Sequence, residues 1–345
     1  MRECSVLIIG GGLAGMSAAY HLTKAGVRDV VVVERMSGDA YGHYHRTCGE
    51  AISERALRES GAPRDCIVRD VRGIRISNGG VDIDIPVKGH IIDRERLLED
   101  LRKGTDAVVV RDSIIAVYRT PEGFRAVSGR EEYHCRHLVG ADGVFSVVRK
   151  AFFGYGPQVR FAAVNNIVEG DSDTDVLRFE ISSKYPGAYR WDFPSKDGRR
   201  SIGYENGMDD VSPVVEKGIR FIAAGREGPV TNGRCCIIGD AALLPNPLCY
   251  GGIGVALQSG RRAAECIAND DLRPYERWLQ KNIMFDPHFL KALETYRGFT
   301  EEEMADAMKP FRNGYSVPRG AYAILRRPKW ANVYMAVWVA FGRGW

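Results

Sequence analysis

The feature that most constrains this chain lies at its start. An apolar run at residues 6–9 feeds directly into Gly10-Gly11-Gly12-Leu13-Ala14-Gly15. Bounded by glycines, residues 6–9 read as a buried strand, residues 13–25 carry helical spacing with Gly26 as the stop, and residues 30–33 form a second apolar strand ending at Glu34. Strand, glycine turn, helix, strand is the opening unit of a doubly wound sheet that binds a dinucleotide. Gly10 makes the tight turn, Gly12 lets a pyrophosphate reach the backbone, and Gly15 lets the helix pack on the strand. Leu13 and Ala14 open a helix whose free N–H groups and dipole favour phosphate. Glu34, followed by Arg35, stands about 20 residues on, where a carboxylate accepts ribose hydroxyls. A βα turn without a ligand is the plain alternative; the strand, the helix and Glu34 together weigh against it.

NAD and FAD share this fingerprint, so later segments must choose. Gly140-Ala141-Asp142-Gly143, with Ser146 and Arg149 behind it, offers a loop carrying a carboxylate and a nearby cation. Gly239-Asp240-Ala241-Ala242 follows another buried strand, at 235–238, and puts Asp240 at the ribityl or pyrophosphate portion of a dinucleotide. The helix expected from Gly252 and Ile253 onward can aim its N-terminus at the flavin pyrimidine, where negative charge develops on reduction. Taken singly, each Asp would pass for a turn cap. In this order behind the first unit, they point to FAD.

The fold class that follows is α/β: a Rossmann-type FAD-binding domain with an inserted β-rich substrate domain and a short helical C-terminal part. The expected boundaries are 1–72, 88–154 and 231–268 for the FAD domain, 73–87 and 155–230 for the β-rich domain, and 269–345 for the helical region. Residues 74–86 read as a hairpin about Asn78-Gly79-Gly80, 93–103 as a helix, and 107–118 and 123–128 as strands. With 48 basic against 44 acidic residues the net charge is +4, which gives no footprint for nucleic acid. The eight cysteines contain no CxxC pair, so no metal site is expected, and reduced thiols in a cytoplasmic protein are the plain reading. The N-terminal apolar stretch shows no cleavage-site pattern, and the apolar stretch 330–341 is too short to span a bilayer, which takes about 20 residues.

The ordered set GxGxxG, GADGxxSxxR and GD resembles the flavoproteins of the p-hydroxybenzoate hydroxylase fold. Further segments are similar to one branch, the geranylgeranyl reductases: Cys48-Gly49-Glu50 with Ser53, Ile91-Ile92-Asp93-Arg94, Tyr189-Arg190-Trp191-Asp192-Phe193-Pro194 with Gly203, and Asn246-Pro247-Leu248 running on to Gly252-Ile253, Ala256 and Ser259-Gly260. The resemblance covers residues 1–268. It implies reduction of isolated C=C bonds in a polyprenyl chain, with Arg94, Cys48 and Gly49 beside the flavin and Cys48 as the catalytic thiol that delivers or steers a proton. It also implies an isoprenoid or prenyl-lipid substrate and, with no second dinucleotide unit evident, NAD(P)H, a ferredoxin or another low-potential donor as reductant.

An unactivated alkene needs an apolar tunnel that excludes water. Tyr189, Trp191 and Phe193 alternate along one strand and could share a face, with Pro247 and Tyr250 nearby as further substrate contacts; an ordinary sheet core is the bland reading of these aromatics. The chain departs from the family at Cys249-Tyr250, where Thr-Gly is usual, and its short C-terminal part predicts a reduced lipid cavity. Whether Cys48 and Cys249 form a redox pair the sequence leaves open. The basic, aromatic tail from Arg326 suits peripheral contact with a membrane or a helix packed on the protein. Two rivals stand: a monooxygenase of the same fold, against which Leu243 stands where many carry His after GDAA, and a non-catalytic electron carrier, which of the quinone-linked type would need an iron–sulfur cysteine cluster.

Overall fold

The computed structural model describes residues 1–78, 80–170, 174–343 and 345. The expected Asn78-Gly79-Gly80 turn therefore falls partly outside the described residues, at Gly79.

Two eight-stranded sheets organise the chain. The first runs Thr231–Asn232, Cys235–Ile237, Glu132–Gly140, Arg2–Ile9, Val30–Glu34, Val108–Arg111, and carries the hairpin Ile114–Arg119/Phe124–Ser128 on its side. Its central strands are parallel, and their register explains why three distant motifs meet. Ile9 lies opposite both Val33 and Gly140, and Gly140 opposite Ile237. The glycine turn after Ile9, the Asp142 loop after Gly140 and the Gly239-Asp240 turn after Ile237 thus leave the sheet side by side at its carboxyl edge, where open α/β sheets bind ligands.

The second sheet runs Glu216–Ala224, Val159–Val168, Arg200–Glu205, Arg190–Pro194, Val176–Glu180, Ile67–Asn78, Val81–Ile92, Ala51–Ser53. The hairpin is longer than its alternation suggested. Its strands begin at Ile67 and end at Ile92, and Ala51–Ser53 joins them, so residues placed with the FAD domain on sequence belong to this sheet. The stretch 107–118 is two strands, because Asp112 and Ser113 interrupt the ladder.

The helices of the first layer are α1 (Leu13–Lys24), α2 (Gly38–Arg46), α3 (Glu54–Ser60), α4 (Arg94–Lys103), α5 (Val147–Phe152) and α6 (Ile253–Ala268). Neither α2 nor α3 was expected; α2 is rich in His, Tyr and Gly and lacks an apolar stripe. Asp93 caps α4 by accepting from the N–H groups of Glu95 and Arg96, and Ser53 caps α3 from Ala56. α1 and α6 press together where Gly260 meets Ala14: a Cβ there would come within 2.4 Å of the Ala14 carbonyl oxygen.

Beyond Asp271 come α7 (Arg273–Lys281), α8 (His288–Arg297), α9 (Glu301–Met308), α10 (Val317–Arg326) and α11 (Ala331–Arg343). α7 packs on α6 and the first sheet, where Tyr275 donates to the Ile237 carbonyl, and α8–α11 cover the second sheet. Phe289, Ala292, Leu293, Trp330, Val333, Ala336, Val339 and Ala340 form a common core with Leu248 and Cys249.

Candidate active site

The glycine turn has the geometry its sequence demands. Gly10 has φ +104°, and Gly15 lies so close to it that a Cβ would stand 1.9 Å from the Gly10 carbonyl oxygen. Gly12 differs: among the described residues only His45 comes within 4 Å of where its Cβ would be. Its exposed backbone is the approach a pyrophosphate needs. Leu13 and Ala14 are buried at the start of α1. Glu34 is buried and accepts from Gly11 N–H and Met36 N–H, each at 2.7 Å, while Arg35 points to solvent.

Asp142 accepts from the Val147 N–H at 2.7 Å through one carboxylate oxygen; its other oxygen is buried without a partner. Arg149 binds this loop to the third motif, donating to the carbonyls of Val144 and Ala241, each at 2.6 Å. Gly143 takes φ +75° and Gly239 φ +56°, the latter donating its N–H to Ser259. Asp240 faces the start of α6, and a Cβ at Gly252 would stand 3.7 Å from its carboxylate. Burial raises the carboxyl pKa of Asp142 and of Asp240.

Cys48 sits where the two sheets meet. The strand Glu216–Ala224 of the second sheet clamps the segment before it: Glu216 accepts from Arg46 at 2.8 Å and pairs with His43 at 2.7 Å, and Arg220 donates to the Thr47 carbonyl at 2.9 Å while lying 4.0 Å over the Tyr44 ring. Burial pushes the Cys48 thiol up, but the guanidiniums of Arg94 and Arg220 outweigh it and hold the thiol below its ordinary range. Every other cysteine is shifted up, chiefly by burial, Cys4 to about 12 and Cys66 and Cys249 to about 11. Cys48 is thus the one cysteine whose thiol is held below its ordinary range. Next to it Glu50, strained at φ +53°, accepts from the Arg94 N–H at 2.9 Å, and its burial raises its carboxyl pKa well above the usual value. Cys48 and Cys249 are both free thiols in separate clusters, Cys48 against the first-sheet core and Cys249 within the helical one.

Several buried polar atoms around these loops lack partners: both ring nitrogens of His45, the Arg94 Nε and one Asp142 oxygen. Native interiors rarely leave such atoms orphaned. Here they ring the open face of Gly12 and the carboxyl edge of the sheet, and a dinucleotide bearing phosphates and hydroxyls would satisfy them. The residues present therefore fit FAD. His45 and Arg220 were missed on sequence: His45 lies in an unrecognised helix, and Arg220 comes from the other sheet, 126 residues from Arg94.

A cavity of about 540 Å³ lies between the second sheet and α8–α11. Carbon lines nearly all of it: Ile76, Ile83 and Phe179 from the sheet, Met304 and Met308 from α9, Val337 and Phe341 from α11. Leu248 and Cys249, in the loop that joins the Asp240 turn to α6, form part of its wall. Tyr189 lines the cavity and donates to the Cys249 carbonyl.

The other expected substrate contacts lie elsewhere. Trp191 lies over Gly203, which has no side chain to obstruct it; a Cβ there would fall 1.8 Å from the indole. Phe193 is buried against Phe179, with ring centroids 5.1 Å apart, and against Gly49. Pro247 is buried within its loop. Tyr250 turns away from the cavity, donating to the Gly187 carbonyl at 2.8 Å and packing edge-on to Phe161. α8–α11 supply most of the cavity wall, and the apolar side of α11 is spent roofing it. A second, polar groove of about 740 Å³ meets the first cavity at Cys249 and carries Arg55, Arg262, Arg277 and Lys281 on its walls.

Fold and site define an FAD-dependent oxidoreductase, and the family described as FAD-dependent oxidoreductase (DAO) matches residues 5–138. Within that class the chain is similar to digeranylgeranylglycerophospholipid reductases. One from Methanothermobacter thermautotrophicus is 29% identical over 87% of this chain and 89% of its own length, and one from Methanopyrus kandleri is 27% identical over 80% and 86%. Among solved structures, a geranylgeranyl bacteriochlorophyll reductase-like protein from Thermoplasma acidophilum superposes with a TM-score of 0.80 at 21% identity, covering 98% of this chain and 99% of that one. HpxO from Klebsiella pneumoniae, complexed with FAD, has the same fold at a TM-score of 0.65 and 15% identity over 95% and 99% of the two chains. The similarity to these reductases runs beyond the motifs, over 80–87% of the chain, and the fold is shared over 98% of it.

Proposed function

We propose that this enzyme saturates C=C bonds in the polyprenyl chain of an isoprenoid lipid. The observation that carries the reading is the apolar cavity ending on Leu248 and Cys249, in the same loop that leads from Asp240 to α6. A cavity of this size falls in the usual range for bound organic ligands, roughly 300–1,000 Å³, and its wall offers an extended hydrocarbon contact and almost no hydrogen bonds. The relatives named above as reductases of digeranylgeranylglycerophospholipid support the same substrate class.

Gly10, Gly12, Gly15, Glu34, Asp142 and Asp240 would hold the FAD, with Arg94, His45 and the N-terminus of α6 completing its surroundings. Bound there, FAD supplies the electron pair and one hydrogen for each double bond. The cavity walls orient the alkene and exclude water. Cys48 Sγ holds the second hydrogen as a proton and returns it to the other alkene carbon. In the flavin-free chain Arg94 and Arg220 favour the thiolate; the negative charge of bound FAD offsets these cations and lets Sγ carry its proton. Glu50, its carboxyl held above the usual range, is the adjoining proton store.

The reductant, NAD(P)H, ferredoxin or another low-potential donor, approaches from the basic groove, where Arg277 and Lys281 have no carboxylate partner among the described residues and attract an anionic donor. We propose a cytoplasmic enzyme, peripheral to a membrane; among the described residues no helix is long and apolar enough to cross one. The test is product mass: incubated anaerobically with reductant and a polyprenyl glycerophospholipid, the holoenzyme should yield species heavier by two hydrogens per step. Product heavier by one oxygen, with oxygen uptake in air, would assign a monooxygenase instead.

A further inference from the structure

The tail helix, for which membrane contact and packing on the protein were both open, packs on the protein, yet the segment before it is exposed. Globular helices turn charged residues outward, but of the exposed positions of α10 Val317, Pro318, Ala321, Tyr322 and Leu325 carry no charge, and only Arg326, at its last turn, does. Leu325 is 81% exposed and Val317 64%. Beside them on α11, Met335 and Trp338 are also exposed. The inner side of α10, with Gly320 and Ile324, lines the apolar cavity, and the lining residues that reach solvent are Pro86, Val317, Ala321, Met335, Trp338 and Gly342. The cavity mouth therefore opens inside an exposed apolar patch.

The segment that carries the patch has charge of one sign. Residues 309–345 contain seven Lys or Arg and no Asp or Glu. Lys309, Arg327 and Lys329 pair with Asp306 and Glu303 of α9. Arg312, Arg319 and Arg326 have no carboxylate partner among the described residues; Arg326 donates to the Tyr322 hydroxyl and Arg319 to the Gly314 carbonyl.

We propose that α10, with the outer edge of α11, docks the enzyme on the anionic face of a lipid bilayer so that the cavity mouth meets the membrane and a prenyl chain enters without crossing water. Apolar residues flanked by cations, with Tyr and Trp between, match the layering of hydrocarbon, interface and anionic head groups. A protein partner would cover the patch but would also stopper the mouth. The inference rests on the prenyl-lipid reading, although its test does not depend on turnover.

Holoenzyme is floated with vesicles of neutral phospholipid alone or with about a third anionic phospholipid, and the Leu325→Asp variant is run beside it. Leu325 lies outside the cavity lining and is exposed, so the variant should keep its FAD absorbance and its turnover of a short, detergent-free prenyl phosphate. The wild type should float with anionic vesicles in a salt-sensitive way, and Leu325→Asp should lower that partition tenfold or more. Equal partition of the two proteins, or no binding of the wild type to anionic vesicles, overturns the proposal. A wild-type dimer that Leu325→Asp dissociates, without vesicle binding, would make the patch an interface between two copies. Vesicle binding without hydrogenation of any prenyl substrate would leave docking standing and remove the proposed reaction.

Discussion

Replacing Arg220 with Gln tests the claim that the fold prepares Cys48 rather than merely burying it. Two guanidiniums oppose the burial that would otherwise raise this thiol. An opposite charge within about 4–6 Å shifts a pKa by roughly 1–3 units, so removing one of the two should raise the thiol by about that much, each unit being worth about 1.4 kcal/mol. The assay is thiolate absorbance near the ultraviolet edge in flavin-free protein, titrated with pH, with Cys48→Ala as the blank. The wild type should show one thiol ionising below the ordinary value of about 8.5, Arg220→Gln the same thiol shifted up, and Cys48→Ala none; the remaining cysteines, all raised, stay silent in that range. The sign of the linked stability follows. With a folded pKa below the unfolded one, the thiolate's contribution is complete above the unfolded value and is lost as pH falls through the folded value. Arg220→Gln should narrow that difference, so its melting temperature should respond less to pH over this window. Identical midpoints in wild type and Arg220→Gln, or a wild-type midpoint at or above about 8.5, would refute the argument.

Other outcomes follow from the same geometry. Cys48→Ala should retain FAD, since the dinucleotide is held by the loops at Gly12, Asp142 and Asp240, and should lose alkene reduction by ~10²–10⁴-fold, read as single-turnover rate. Restoring FAD to the flavin-free wild type should move the Cys48 titration upward, measured by the pH dependence of alkylation with mass-spectrometric identification of the modified thiol. Deleting the chain after Pro328 should abolish activity equally on membrane-embedded and on soluble prenyl substrates and lower the melting temperature. The deletion removes Trp330, Val333, Ala336, Val339 and Ala340 from the core, and a single large-to-small core change already costs about 2–5 kcal/mol.

The parts of this protein legible in its sequence are those whose physics is local. The glycine turn, Glu34 and the strand-ending Asp loops declare themselves because tight turns and buried parallel strands restrict residue choice over a few positions. Their convergence on one sheet edge could be expected from order alone, and the register Ile9–Gly140–Ile237 provides it. What could not be read came from long-range packing. Arg220 reaches Cys48 only because a strand of the second sheet crosses over the 43–47 segment. The period-2 spacing of Tyr189, Trp191 and Phe193 suggested one face, but spacing does not say what covers a face. Tyr189 lines the cavity, whereas Trp191 is taken up by Gly203 and Phe193 by Phe179 and Gly49. The composition of the tail left a membrane-facing helix and a packed helix both open; its apolar side roofs the cavity, and the exposed apolar residues belong to α10, a strongly amphipathic helix whose spacing does not say which of its sides stays uncovered.

The account stands most directly on whether electrons from the flavin reach an isolated double bond. Holoenzyme reduced anaerobically to completion, freed of excess reductant and mixed with a polyprenyl glycerophospholipid, should recover its oxidised flavin spectrum in step with the loss of one C=C bond per flavin, counted by mass. A flavin that stays reduced with that lipid until oxygen is admitted, and a product that then gains an oxygen atom or stays unchanged, would contradict it.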